Sequence, residues 1–506
     1  MEVILNSLND LPEEVQISVC ELSVQNQQLK DDIQKLQQEN AILKSKVAEK
    51  ESQIKSDSST SSKPPSHDWS SVFKVGCLKT VYNELFLGKS KDSNEEKRSP
   101  GKQPNSKGFG PKVPENAEKN VIEHNPVQCL NCVKRDTCTA QSKCTCNRKV
   151  VDIKVTVVVE EHKTMTKECP LRNNEKISGS MPKGLNSIIQ FGLMIQALII
   201  FLYINGFSHT RIHDFFSYTI KDAAPAVGTI FNIVKRFGES YALNATYKNI
   251  YEILSKLSVL HCDETGIRGK GKKLWLHVIC TDNYTYLFGS LFRGFKALVE
   301  GGTAFLTNKI LMHDCWRSYF KISECLHALC NAHIIRELAN IIIFYKQEWA
   351  QEMLKALFDL YEIKKEAIRN GKDKLDEFII QEFKNKICAI ANKGINANPL
   401  PEDQIDKKRP KQSKPRALAG RILEYLDEII AFAVNFDVPF TNNIAEQAIR
   451  IAKIKIKNST YVTLGGLQTF AKIQSVLDTA KKQKIPQLDA IKTILSGNEL
   501  DFRHIA

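Results

Sequence analysis

Between Leu257 and Met312 the chain breaks into short apolar runs rich in β-branched and aromatic residues: Leu257 to Cys262, Leu274 to Thr281, Tyr284 to Phe292, a helix-length stretch to Leu306, then Ile310 to Met312. Apolar runs this short have the length of strands rather than helices. This stretch is therefore expected to form three strands, a helix and a fourth strand. Two acids stand where strands are expected to end: Asp263, in His-Cys-Asp-Glu-Thr-Gly (261–266), and Asp314, in Leu-Met-His-Asp-Cys-Trp (311–316). If the first and fourth strands are parallel neighbours, the two carboxylates meet at the carboxyl edge of the sheet, where open α/β proteins build their sites.

A third acid follows much later. Glu446 lies in Pro-Phe-Thr-Asn-Asn-Ile-Ala-Glu-Gln-Ala-Ile-Arg (439–450), where Thr441 or Asn442 can cap a helix with Glu446 in its first turns. Asp263 and Asp314 are 51 residues apart, and Asp314 and Glu446 are 132 apart. The longer interval must contain an insertion, and His333 to Asn435 supplies one at helical periodicity. Three convergent carboxylates cannot all ionise cheaply unless cations neutralise them. Oxygen ligands suit Mg²⁺ or Mn²⁺, and two such ions about 4 Å apart can activate a nucleophile and stabilise a leaving oxygen in phosphoryl displacement. A single acid at a strand or helix end is more often solvated or capping, so only the set carries weight.

Charge points the same way. Lys and Arg number 71 against 57 Asp and Glu, a net +14, which favours a polyanionic partner, nucleic acid ahead of an acidic membrane. From Val19 to Ile54 a heptad runs with Leu22, Leu29, Leu36 and Leu43 at d, and Val19, Asn26, Ile33, Asn40, Val47 and Ile54 at a. Leu at d with β-branched residues at a favours a parallel two-stranded zipper, and Asn26 and Asn40 would set its register; the alternative is a helix folded onto its own domain. No basic and apolar leader opens the sequence, so a reduced, cytoplasmic, DNA-associated protein is expected. Six of the 14 cysteines crowd between Gln128 and Cys169. Cys129 and Cys132 have zinc-knuckle spacing, and Cys144 and Cys169 are the candidate second pair for one structural Zn²⁺, although Arg172 stands where a partner cysteine is wanted. A metal-free cysteine-rich loop is the alternative. Val150 to Val159 alternates as a ribbon strand would. Ser208 to Gly238 reads either as a helix-turn-helix DNA reader or as a helical pair packed on a core.

Asp-Glu-Thr at 263–265, His-Asp-Cys-Trp at 313–316, Cys-Asn-Ala-His at 330–333 and Asn-Asn-Ile-Ala-Glu at 442–446 together resemble the insertion-sequence transposases of the IS-sixty-six group. Ser-Ser-Lys-Pro-Pro-Ser-His-Asp (61–68) and Gly-Lys-Gln-Pro-Asn-Ser-Lys-Gly (101–108) are similar to that group's linker motifs, so the likeness runs nearly end to end. Cys315 replaces the glycine usual after the second aspartate, and Asn331 the tryptophan common in the Cys-Trp-Ala-His motif. The resemblance implies an α/β, ribonuclease-H-like catalytic domain with a mixed five-stranded sheet and an Asp-Asp-Glu triad of Asp263, Asp314 and Glu446 on two Mg²⁺ or Mn²⁺ ions. It implies nicking at the ends of a mobile element, then attack of the freed 3′-hydroxyl on target DNA, with accessory proteins of the same element left open as partners.

The natural phosphate contacts are Arg268, Lys270, Lys272 and Lys273 in the hairpin, His333 and Arg336 after the fifth strand, and Arg450 and Lys453 beside Glu446. Arg450 can equally pair with Glu446. Lys407 to Arg416, with six cations and no acid, suits a DNA-gripping loop or a solvated hinge. These readings divide the chain into a zipper at 13–55, a flexible basic linker at 56–119, a zinc-ribbon-like module at 120–175, a helical DNA-binding region at 180–256, a catalytic domain at 257–332 and 436–482 interrupted by a helical insertion at 333–435, and a tail at 483–506. Two rivals remain: a ribonuclease-H-type nuclease of recombination, which needs no zipper, and a non-catalytic zipper and zinc-finger regulator, which needs no triad.

Overall fold

The computed structural model describes residues 13–55, 120–124, 127–141, 143–182, 185, 187–269, 273–322, 324–458 and 463–502. The linker expected at 56–119 lies outside them, as do Lys270 and Lys272. The chain forms two compact units, one of residues 1–89, 187–214 and 225–506, the other of residues 90–186 and 215–224.

The zipper sequence forms one 43-residue helix, α1 (Glu13–Lys55). Leu22, Leu29, Leu36 and Leu43 remain 58–60 % exposed along it, so its d positions find no cover among the described residues; the helix, in which Ala48 is buried, also packs near Ile341–Tyr345.

The smaller unit holds a single helical turn, α2 (Val127–Leu130), and a hairpin of β1 (Thr166–Cys169) with β2 (Glu175–Ser178), Cys169 paired with Glu175. Val150 to Val159, expected as a ribbon strand, is not one: it joins no ladder and is exposed throughout. Alternation marks a half-buried surface, and a segment with no partner strand and nothing to pack on has no reason to pleat.

Four helices, α3 (Leu193–Ile204), α4 (His209–Ile220), α5 (Val227–Glu239) and α6 (Tyr241–Leu254), precede the sheet; all belong to the larger unit except residues 215–220 of α4. The apolar stretch that contains α3 buries Ala197, Ile199, Ile200, Tyr203 and Ile204, and no helix among the described residues is long and apolar enough to cross a membrane. The sheet comprises β3 (Val259–Arg268), β4 (Lys273–Cys280), β5 (Thr285–Ser290), β6 (Ile310–His313) and β7 (Leu326–Leu329), in the order β5-β4-β3-β6-β7. β3, β4 and β5 form an antiparallel meander, while β6 runs parallel to β3, and β7 to β6. The short helix α7 (Phe295–Glu300) carries the chain from β5 toward β6. This is the expected succession, with one correction: β3 does not end at Asp263 but continues to Arg268, because the hairpin with β4 goes on pairing after the ladder to β6 has stopped at His261.

The insertion is helical throughout: α8 (Asn331–Asn340), α9 (Glu348–Arg369), α10 (Glu377–Asn396), α11 (Glu402–Ile405), α12 (Lys414–Glu424) and α13 (Leu426–Val434). It is not a separate body, since Met312, Ala328 and Leu329 of the sheet share one buried cluster with Leu354, Leu357, Ile430 and Phe432. The chain then returns through α14 (Asn443–Asn458), packed on β3 and β4, and α15 (Leu464–Lys482), packed on β5. Gly289 of β5 makes that approach possible, since a Cβ there would lie 2.9 Å from Leu467 Cγ. Before the sheet, α5 and α6 pack against α15, as the helical pair packed on a core would; within 483–502, α16 (Gln487–Leu495) packs on α3 and Phe502 is wholly buried, its carbonyl accepting from the Tyr284 hydroxyl.

Candidate functional site

Parallel pairing aligns Val259 with Ile310 and His261 with Met312, so Asp263 and Asp314 are the equivalent positions two residues further along each strand. The Asp314 carboxyl perturbs that of Asp263. Burial, then Glu264 and Asp314, push Asp263 up from 3.8 to about 7, against the Glu264 backbone N–H, which donates to Oδ1 at 2.8 Å, and Lys453. Asp314 is also raised, first by burial and then by Glu446, against His333, the Trp316 backbone N–H at 3.2 Å, and Arg293. Asp314 thus raises Asp263 and is itself raised by Glu446, 132 residues on.

Glu446 is brought there by a chain of buried polar contacts. Lys364 on α9 donates to the carbonyls of Phe436 (2.9 Å) and Val438 (2.8 Å), and Tyr361 stacks on Phe440 at 4.3 Å between centroids. The Phe440 carbonyl accepts from the Asn331 amide at 3.2 Å. Asn442 then locks to β3: Oδ1 meets His261 Nδ1 at 2.8 Å, and Nδ2 donates to the Cys262 carbonyl at 2.8 Å. The side chain expected to cap α14 is therefore a strand anchor, and the first bond of that turn is instead the Glu446 N–H to the Asn442 carbonyl.

Glu446 is part-buried and pairs with Arg336 (3.4 Å) and His333 (3.8 Å). Arg450, the equal candidate partner from sequence, is exposed instead. One ligand atom from each of Cys330, His333 and Glu446 lies within 4.8 Å of the other two. His333 is lowered by burial and by Arg336, against Glu446 and Asp314, while burial pushes the Cys330 thiol up to about 11.

Sequence reasoning passed over a second layer. The Glu264 carboxylate is 1 % exposed, accepts from the Tyr319 hydroxyl at 2.6 Å, and pairs with Arg293 at 3.0 Å. Arg293 lies over the rings of Trp316 (4.2 Å) and Trp275 (5.0 Å). Alternation along β3 could have assigned Glu264 to the face opposite Asp263, but nothing local marks Arg293.

Of the expected phosphate contacts, Lys273 (4.5 Å over Trp275), Arg450 and Lys453 are exposed, and His333 and Arg336 are partly so; Arg268 ends β3. The basic run 407–416 is not all loop, because Ser413 caps α12 and Arg416 donates to the carbonyls of Ile395 and Asn398. Cys129, Cys132, Cys144 and Cys169 are free thiols, exposed except for the partly covered Cys169, and the structure does not gather them into a ligand group.

The fold is that of an α/β protein with a mixed five-stranded sheet. Residues 189–466, more than half of the chain, match the family model described as Transposase IS66 family. The chain belongs to that family. None of the curated proteins compared with it matches.

Proposed function

We propose that this protein cuts and joins DNA strands, with Asp263, Asp314 and Glu446 as the catalytic carboxylates and Mg²⁺ or Mn²⁺ as cofactor. The observation that carries the reading is that Asp263 and Asp314 occupy equivalent positions on adjacent parallel strands, with Asp314 raising Asp263 and Glu446 raising Asp314. Family membership supports a transposase role, and the strand order supports the ribonuclease-H-like fold that the resemblance implied.

The donor set fits a divalent cation: Asp263 and Asp314 are oxygen donors raised by burial and by a neighbouring acid, and they lack the positive charge that hard cations supply. Asp263, Asp314 and Glu446 would hold the ions, whose charge would favour an attacking oxygen and a leaving oxygen at phosphorus. The chain's own groups do the rest. Asn442 fixes the start of α14 to β3, which would hold Glu446 near the two aspartates without a search of the backbone. Arg336 neutralises Glu446 until a cation arrives. Lys273, Arg450 and Lys453, with Arg268, Lys270 and Lys272, would hold duplex phosphates, a contact weakened by salt. Joining two element ends needs two protomers, and the exposed d-position leucines of α1 would bring them together as a zipper. Zinc on the cysteine module is a further proposal, resting on the Cys129–Cys132 spacing.

The test is strand nicking of DNA carrying the element's ends by the full-length protein with Mg²⁺. Asp263→Asn, Asp314→Asn and Glu446→Gln should each lower nicking by roughly 10³-fold or more, as losing one member of a cooperating catalytic set does, with DNA binding retained. Metal-dependent nicking preserved in any one of them would sink the triad. The rival regulator predicts unchanged function in all three.

A further inference from the structure

Cys330 to His333 is a motif that the carboxylate centre leaves without a role. Cys330 follows β7 and precedes the first turn of α8, and His333 comes three residues on, a spacing that turns both side chains to one face. Glu446 reaches the same point from α14, placing thiol, imidazole and carboxylate atoms within 4.8 Å of one another, and no other such group occurs among the described residues.

Two further observations mark this as a ligand set rather than a chance meeting. The Asn442 backbone N–H donates to Cys330 Sγ at 3.1 Å, a bond that supports a thiolate carrying charge, as outer contacts of metal-bound groups do. His333 Nδ1 is buried and has no hydrogen-bond partner, while Nε2 lies 3.8 Å from Glu446. Buried ring nitrogens are ordinarily paired.

We propose that Cys330, His333 and Glu446 form a cation site of their own, selective for a borderline ion such as Zn²⁺ over Mg²⁺. Thiolate and imidazole favour Zn²⁺, whereas the aspartate pair offers only oxygen. Three protein ligands leave a fourth tetrahedral position open to water. Binding releases the thiol proton and takes Glu446 from Arg336. The ion clamps the end of β7, α8 and α14 at one point. This site shares Glu446 with the proposed catalytic centre but does not rest on that reading.

The test is an anaerobic Co²⁺ titration, without Mg²⁺ or DNA, of the full-length chain carrying Cys129→Ser and Cys132→Ser to silence that knuckle. A thiolate-to-cobalt charge-transfer band with tetrahedral visible bands is expected, displaced by Zn²⁺ and lost on adding Cys330→Ser. His333→Gln, at a half-exposed side chain, should weaken Co²⁺ binding by at least about tenfold, the lower end of what losing even a supporting group does. No band in the parent chain, or a band indifferent to both changes in proteins with unaltered circular dichroism, overturns the proposal. Mg²⁺-dependent nicking by the same proteins judges the catalytic reading separately, so either can fail alone.

Discussion

Asp263 binds its proton more tightly in the folded chain than in the unfolded one, because burial and neighbouring acids penalise its charge. Its contribution therefore favours the folded state below about pH 4 and is lost as pH rises from about 4 to about 7. Asp263→Asn, neutral at every pH, should raise the melting temperature of the metal-free protein near pH 8, with the gain shrinking toward pH 5. Equal gains at both would refute the raised pKa. At Asn442 the expectation runs the other way. Asn442→Ala leaves the His261 ring and the Cys262 carbonyl unpaired, a loss of about 1–3 kcal/mol per buried group. Nicking should slow while DNA affinity stays unchanged, because the residue orients Glu446 without touching a phosphate; a fall in affinity alone would assign Asn442 to DNA binding.

The helical insertion acts as a scaffold for the return of the chain to the sheet. Lys364 on α9 holds two carbonyls of the connector before α14, and its burial lowers its pKa to about 8. Lys364→Met keeps the stem but strands both carbonyls. Stability should fall by about 1–3 kcal/mol, with reduced nicking although no group in the cleft is altered. Denaturant unfolding beside a nicking assay checks this, and full nicking in a folded variant would mean that the connector places itself. The insertion was legible as helical from its periodicity, but its attachment to β6 and β7 was not, because a helix pattern states which face is apolar and not what covers it.

At the scale of the whole molecule, α1 presents an apolar seam that the other described residues leave uncovered. Leu29→Lys with Leu36→Lys should convert a dimer to a monomer by light scattering, through charge placed at two d positions; an unchanged mass would move the dimer contact elsewhere. The basic balance of the chain predicts that its DNA affinity falls steeply with salt.

Sequence alone determined the strand succession from Leu257 to Met312 and the helical character of the insertion, because strand length and helical period are local properties of side-chain order. It overreached at Val150 to Val159, where the alternation was right but the partner strand was missing. Tertiary structure decided what depends on residues meeting from afar: Asn442 anchoring β3 rather than capping α14, Glu446 pairing with Arg336 rather than Arg450, Arg293 over two tryptophans, and the convergence of Cys330 and His333 on Glu446. Such contacts arise when the sheet and the insertion pack together, and no spacing along the chain encodes them.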